Sequence, residues 1–204
     1  NYLGRDNIYW VFDGSNHSIA RYDFQEDHGV GFDDHSDGII AKYVTGEIER
    51  VPDVPSHISL HHPSGMIYVA DSGNNAIKRL DITSGEPDRN LPVVEPGTRH
   101  FSMKNARFET VVNGADHGMV TPSGLSIIDE TIIVGDNSTG ILYQFDFDGN
   151  LMGTFETGVE EGGLMGLYSV SADDIWYVDA AKNELWRIQS GTSEPFEMGD
   201  AGEY

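Results

Sequence analysis

The chain has 204 residues, with 34 acidic and 12 basic side chains, a formal charge of −22 and no cysteine. That length fits one domain, and 38% apolar residues with nine Tyr, nine Phe and three Trp argue for a folded core despite the charge. The acid excess repels phosphate backbones and anionic lipid, and no apolar run approaches the ~18 residues that cross a bilayer, so nucleic-acid binding and membrane insertion are not expected.

Without thiols there are no disulfides, thiolate zinc sites or cysteine nucleophiles. Cysteine absence does not fix the compartment, but the acidic balance suits high ionic strength and is read as an extracellular or periplasmic setting. The first residue, Asn1, is preceded by no initiator Met and followed by no signal-like apolar run, which reads as a processed product.

Internal repetition organises the chain. Ile8-Tyr-Trp-Val-Phe-Asp13, Met66-Ile-Tyr-Val-Ala-Asp71, Thr131-Ile-Ile-Val-Gly-Asp136 and Asp174-Ile-Trp-Tyr-Val-Asp179 are each a β-branched or aromatic run ending in Asp. A short polar turn follows each, then a second alternating run: Ile19-Ala-Arg-Tyr-Asp23, Ile77-Lys-Arg-Leu-Asp81, Ile141-Leu-Tyr-Gln-Phe-Asp146 and Leu185-Trp-Arg-Ile188. A period-2 run, a turn and another period-2 run predict a β-hairpin. The leading Asp residues stand 58, 65 and 43 positions apart, which brackets the roughly 40–50 residues of a four-stranded propeller blade. The longer spacings predict insertions around residues 25–38 and 86–107.

Taken in order, the first repeat (8–54) lacks an innermost strand. The second (55–114) predicts strands at 56–60, 66–70, 76–82 and 107–112. The third (120–160) predicts 124–128, 131–135, 141–147 and 151–157, with Asp148-Gly149 as a hairpin turn. The fourth (163–198) predicts 167–171, 174–178 and 184–188. No long stretch carries a helical apolar period. The fold class is all-β, a β-propeller of about four visible blades within one domain over 1–204.

The segment Pro55-Ser-His-Ile-Ser-Leu-His-His-Pro-Ser-Gly-Met-Ile-Tyr-Val-Ala-Asp-Ser-Gly-Asn-Asn-Ala-Ile-Lys-Arg-Leu-Asp81 resembles the NHL-repeat family of β-propellers. Repeats three and four match that pattern more loosely. The resemblance implies about six blades, two more than are visible here. Either the chain is part of a longer ring, or its terminal strands share a blade, or a second chain completes it.

Blade geometry turns scattered side chains into clusters. His28 and His35 fall in the insertion of repeat one, and His61 and His62 in the first turn of repeat two, on the same face of neighbouring blades. The stretch 26–38 carries four Asp, one Glu and two His. Asp33, His35 and Asp37 alternate ahead of Gly38, as in the front of a calcium loop, although Val44 stands where the closing Glu belongs. His28, Asp33, His35, Asp37, His61 and His62 form a first candidate site for a divalent metal, calcium or zinc. The competing reading is a solvated acidic loop.

His57 and His117 form a second candidate pair. Resemblance to the propeller lyases that cleave α-hydroxyglycine peptides implies metal-binding histidines at the start of the innermost strand in several blades. His57 holds that place, whereas repeat three has Pro122-Ser123 and repeat four Met165-Gly166, and His117 is out of register.

Asp13, Asp71, Asp136 and Asp179 are read as turn-holding carboxylates rather than catalytic ones. Tyr9, Trp10, Tyr68, Trp176, Tyr177 and Trp186 are read as packing between blades, with one face able to stack sugar rings. Residues 87–104 read as an exposed loop. No residue is assigned as catalytic and no organic cofactor is expected.

Three functions remain. The first is a secreted NHL-like binding or structural module with a protein or glycan partner and a divalent ion in the 26–38 loop. The second is a metal-dependent lyase or hydrolase, amidating-lyase-like or lactonase-like, with its site at a central channel. The third is a carbohydrate-binding propeller.

Overall fold

The structure, a computed structural model, describes residues 7–25, 36–93, 95–189 and 192–196. The chain runs through β1 (Ile8–Asp13), β2 (Ser18–Asp23), β3 (Ile39–Tyr43), β4 (Ile58–His61), β5 (Met66–Asp71) and β6 (Ala76–Asp81). Next come β7 (Glu86–Asn90), β8 (Arg99–Lys104), β9 (Phe108–Asn113) and a 3-10 turn at Gly114–His117. β10 (Pro122–Ile128), β11 (Thr131–Asp136), β12 (Ile141–Asp146) and β13 (Leu151–Glu156) follow. The last four are β14 (Leu164–Ser171), β15 (Asp174–Asp179), β16 (Glu184–Gln189) and β17 (Thr192–Phe196).

These strands form four sheets, ordered β1-β2-β3-β8-β7, β4-β5-β6-β9, β10-β11-β12-β13 and β14-β15-β16-β17. The last three are the four-stranded units expected from the repeats. The second strand of each hairpin pair pairs in full register with the third, as Thr131↔Asp146 through Asp136↔Ile141 shows in the third sheet. Ile132, Ile133 and Val134 are buried in consecutive positions, so both faces of this central strand are covered. The outermost β13 is largely exposed, and its sequence is correspondingly mixed. No helix among the described residues is long and apolar enough to cross a membrane.

Contacts group the chain into two units, one of residues 1–49, 60–67 and 79–109, the other of 50–59, 68–78 and 110–204. The first has Ile19, Ala20, Ala41, Tyr43 and Ile48 buried, with Trp10 packed on Tyr43 at 5.2 Å between ring centres. In the second, Ile133, Leu142, Val159, Leu164, Ile175 and Tyr177 form one cluster.

The repeated carboxylates close the turns. Asp13 accepts hydrogen bonds from the Asn16 main chain and side chain, and Asp71 from the Asn74 amide at 2.9 Å. Asp136 accepts from the main-chain N–H of Ser138 at 2.9 Å, and Asp179 from Ala181 at 3.1 Å. The Asp ten residues later does the same one turn on: Asp81 accepts from the Thr83 N–H and Asp146 from those of Asp148 and Asn150, each within 2.9 Å. A short acceptor beside a tight turn satisfies N–H groups that the ladder cannot reach, which fixes hairpin register.

One expectation is corrected. Residues 87–104 are not a plain exposed loop, because β7 and β8 form a hairpin. β8 pairs parallel to β3, with Ile39↔Arg99 through Lys42↔Ser102, so the second repeat's insertion extends the first sheet. Pro87 is tolerated because β7 is the outermost strand. Strand β9 falls at Phe108–Asn113, within a residue of its expected place.

Candidate functional site

Ser56-His57 lead directly into the first strand of the second sheet, the first strands of the third and fourth begin with Pro122-Ser123-Gly124 and Leu164-Met165-Gly166, and all of these residues lie in the second unit. Side chains stitch the three starts together. The fully buried Ser123 hydroxyl lies 2.8 Å from the Pro55 carbonyl and 2.9 Å from that of Met165, and donates its one proton between them. Asn137 donates to the Leu164 carbonyl at 3.0 Å, and Asn75 to that of Met119 at 2.8 Å. Ser72 accepts the Val51 N–H at 3.0 Å and shares a hydrogen bond with Ser56.

His57 is the titratable side chain in this row. Its Nδ1 lies 3.0 Å from the Ser123 carbonyl oxygen. A carbonyl only accepts, so Nδ1 carries the proton, and in the neutral ring Nε2 keeps its lone pair. Gly166 stands beside it: a Cβ there would sit 3.7 Å from Nε2 and 4.0 Å from Cε1. The absence of a side chain at 166 leaves that edge of the half-buried imidazole uncovered. Gly124 serves packing instead, since a Cβ would meet the Met165 carbonyl at 2.9 Å and the Leu167 nitrogen at 3.0 Å.

His28, Asp33 and His35 lie outside the described residues. Asp37 and His62 are exposed, and His61 holds the Ser64 hydroxyl through Nδ1 at 2.7 Å. His117 ends the 3-10 turn and packs edge-on against Phe145, 5.0 Å between ring centres. Among the described residues, no three His, Asp or Glu side chains are grouped to hold an ion. Tyr68 and Tyr177 are buried, the latter stacked with Trp186, and Arg187 lies over Trp176 at 5.0 Å. Tyr9 is mostly exposed and edge-on to Phe24. Ser123, Asn137 and Asn75 escaped the sequence reading, because their partners lie 27 to 68 residues away along the chain.

The electrostatics follow the same wiring. Burial pushes the Tyr177 hydroxyl up to about 12, aided by the Asp179 and Glu184 charges. Tyr143 is raised by burial and by the Asp136 charge. Hydrogen bonds from the Asn150 side chain and main chain hold Asp146 below the usual carboxylate range. Burial works to raise Asp13 and Asp81, but Lys42 with Asn16, and Thr83 with Arg107, outweigh it and leave both lowered.

Four sheets built on repeated antiparallel hairpins, three of them four-stranded, define an all-β, propeller-type protein, and the solved structures that resemble the chain are of that kind. Virginiamycin B lyase from Staphylococcus aureus superposes with a TM-score of 0.55 at 17% identity, covering 94% of this chain and 52% of that one. A streptogramin B lyase gives 0.55 at 15%, covering 97% and 53%, and a chain of a nidogen/laminin complex gives 0.58 at 11%, covering 91% and 60%. No protein-family model and no curated protein sequence matches the chain. At these identities the likeness shows the fold alone. The chain spans between half and two thirds of the length of these structures.

Proposed function

We propose that the chain is a ligand-binding propeller module whose recognition centre is His57. The observation that carries this is the Nδ1–H bond to the Ser123 carbonyl at 3.0 Å, which turns Nε2 into a fixed acceptor, with Gly166 keeping its edge clear. An oriented imidazole lone pair suits a hydrogen-bond donor of a ligand or a divalent ion, and the second partner that fixes it is the usual accompaniment of such a role. The module is read as an NHL-like, single-domain propeller with a protein or glycan partner, completed by further blades or a second chain. Its strongly acidic composition, which suits high ionic strength, supports an extracellular or periplasmic setting. The 26–38 loop is retained as the metal proposal on the strength of its donor types alone.

A second reading, a lyase or hydrolase, is favoured by the same lone pair, because a fixed Nε2 can also accept a proton from a substrate. The test is titration with zinc ion alone, followed through imidazole nitrogen resonances. Saturable perturbation of His57 that disappears in a folded Gly166→Leu variant supports the site. A His57 signal indifferent to zinc and unchanged by that substitution removes His57 as the centre.

A further inference from the structure

The β7–β8 hairpin adds two strands that the repeat does not require, and it carries a pocket of its own. A pocket of about 410 Å³ lies along it, lined among others by Leu91, Val93, Phe101, Arg89, Arg99 and His100. His100 is fixed in place: its Nδ1 donates to the Pro92 carbonyl at 2.7 Å, while Nε2 is sealed from solvent and has no hydrogen-bond partner among the described residues. The imidazole therefore supplies a rigid wall rather than a contact for a ligand.

The arginines are the unusual part. Acidic side chains outnumber basic ones 34 to 12 in this chain, so a basic side chain readily finds a carboxylate. Arg21, Lys42, Lys78, Arg79, Lys104, Arg107, Lys182 and Arg187 all do so, with Asp23, Asp13, Asp71, Glu109, Glu86, Asp81, Asp179 and Asp174 respectively. Among the described residues, Arg50, Arg89 and Arg99 have no such partner, and two of these three meet at this pocket. Asp88, the one acidic residue on the lining, has its carboxylate 3.8 Å from Lys104 Nζ, so it already faces a lysine.

We infer that this pocket binds a small organic anion with an apolar body, its carboxylate taken by Arg89 and Arg99 and its hydrocarbon part laid on Leu91, Val93 and Phe101. A guanidinium offers planar paired donors that match a carboxylate, and local positive charge inside a strongly negative molecule concentrates an anion there and nowhere near the acidic surface. The volume suits a ligand of one ring with a short acid arm. This site is separate from the His57 row and does not depend on it.

The experiment is calorimetric titration of the whole chain with hydrocinnamate, with its neutral amide and with inorganic phosphate, repeated on an Arg89→Gln/Arg99→Gln double variant. The expected result is saturable hydrocinnamate binding with a dissociation constant of about millimolar or tighter, at least ~10-fold weaker in the double variant at unchanged melting temperature. Arginine Nε–H resonances of Arg89 and Arg99 should shift with the same isotherm, which keeps the test decisive if the double variant melts lower. Three results would each overturn the assignment: no saturable binding, equal binding of the amide, or phosphate binding as tightly as hydrocinnamate.

Discussion

The third and fourth sheets repeat the same motif, yet their buried carboxylates are wired differently. Asp136 and Asp179 are both fully buried at the end of the second strand. Asp136 accepts from four main-chain N–H groups: Val120 at 2.5 Å on one oxygen, and Thr121, Ser138 and Thr139 on the other. Asp179 accepts from Ala181 and Lys182 through one oxygen, while among the described residues Oδ2 has no hydrogen-bond partner and only the Lys182 ammonium at 3.6 Å. The third sheet uses its carboxylate to fasten the chain entering the first strand as well as the turn. The fourth fastens the turn alone, so sequence identity at a repeated position does not fix its energetic role.

The largest expected effect breaks that comparison directly. Asp136→Asn sets an amide N–H against the Val120 N–H and should cost about 2–4 kcal/mol in urea denaturation. Asp179→Asn places the same amide where the nearest donor is the half-exposed Lys182 ammonium at 3.6 Å and removes a buried charge, so its cost should stay within about 1 kcal/mol. Equal losses would mean that the two carboxylates do the same work.

A second contrast lies in the glycines. Gly124→Ala pushes a methyl against the Met165 carbonyl and the Leu167 nitrogen and should cost roughly 1–3 kcal/mol. Gly153→Ala, whose nearest neighbour would be the Gln144 amide oxygen at 3.9 Å, should be neutral by thermal melting. Destabilisation by the second and not the first would reverse the packing argument.

Titration sharpens the comparison at smaller amplitude. Tyr177 is raised in the folded chain, so its contribution is complete below its ordinary value of 10.0 and is lost as pH rises toward about 12. The stability difference between the parent and Tyr177→Phe should therefore move within that window, and a difference that is flat there would contradict it. Asp146 is lowered, so its contribution is present above 3.8 and is lost as pH falls through its folded value. Asp146→Asn should be less stable than the parent at neutral pH, with the gap closing below about pH 4. A gap that persists in acid would place the effect elsewhere than in the carboxylate charge.

Much of this architecture was legible in the residues. Period-2 runs ending in Asp located the hairpin pairs, because alternation and turn acceptors act over a few residues. The β7–β8 hairpin was hidden, since Glu-Pro-Asp-Arg-Asn has neither alternation nor β-branched residues and is held by main-chain pairing to an edge. His57 could be placed at the start of a strand, but not its partner, the carbonyl of Ser123, 66 residues away. That Arg89 and Arg99 have no carboxylate partner among the described residues was equally invisible, because it depends on which carboxylates the fold brings near the basic side chains.

The central claim is that the Ser123 carbonyl fixes the His57 proton on Nδ1 and leaves Nε2 as the acceptor. Long-range nitrogen–proton correlation of the imidazoles measures this directly. The account predicts a protonated Nδ1 and a lone-pair Nε2 for neutral His57, a pattern that persists in Gly166→Ala. A neutral His57 carrying its proton on Nε2 would contradict it.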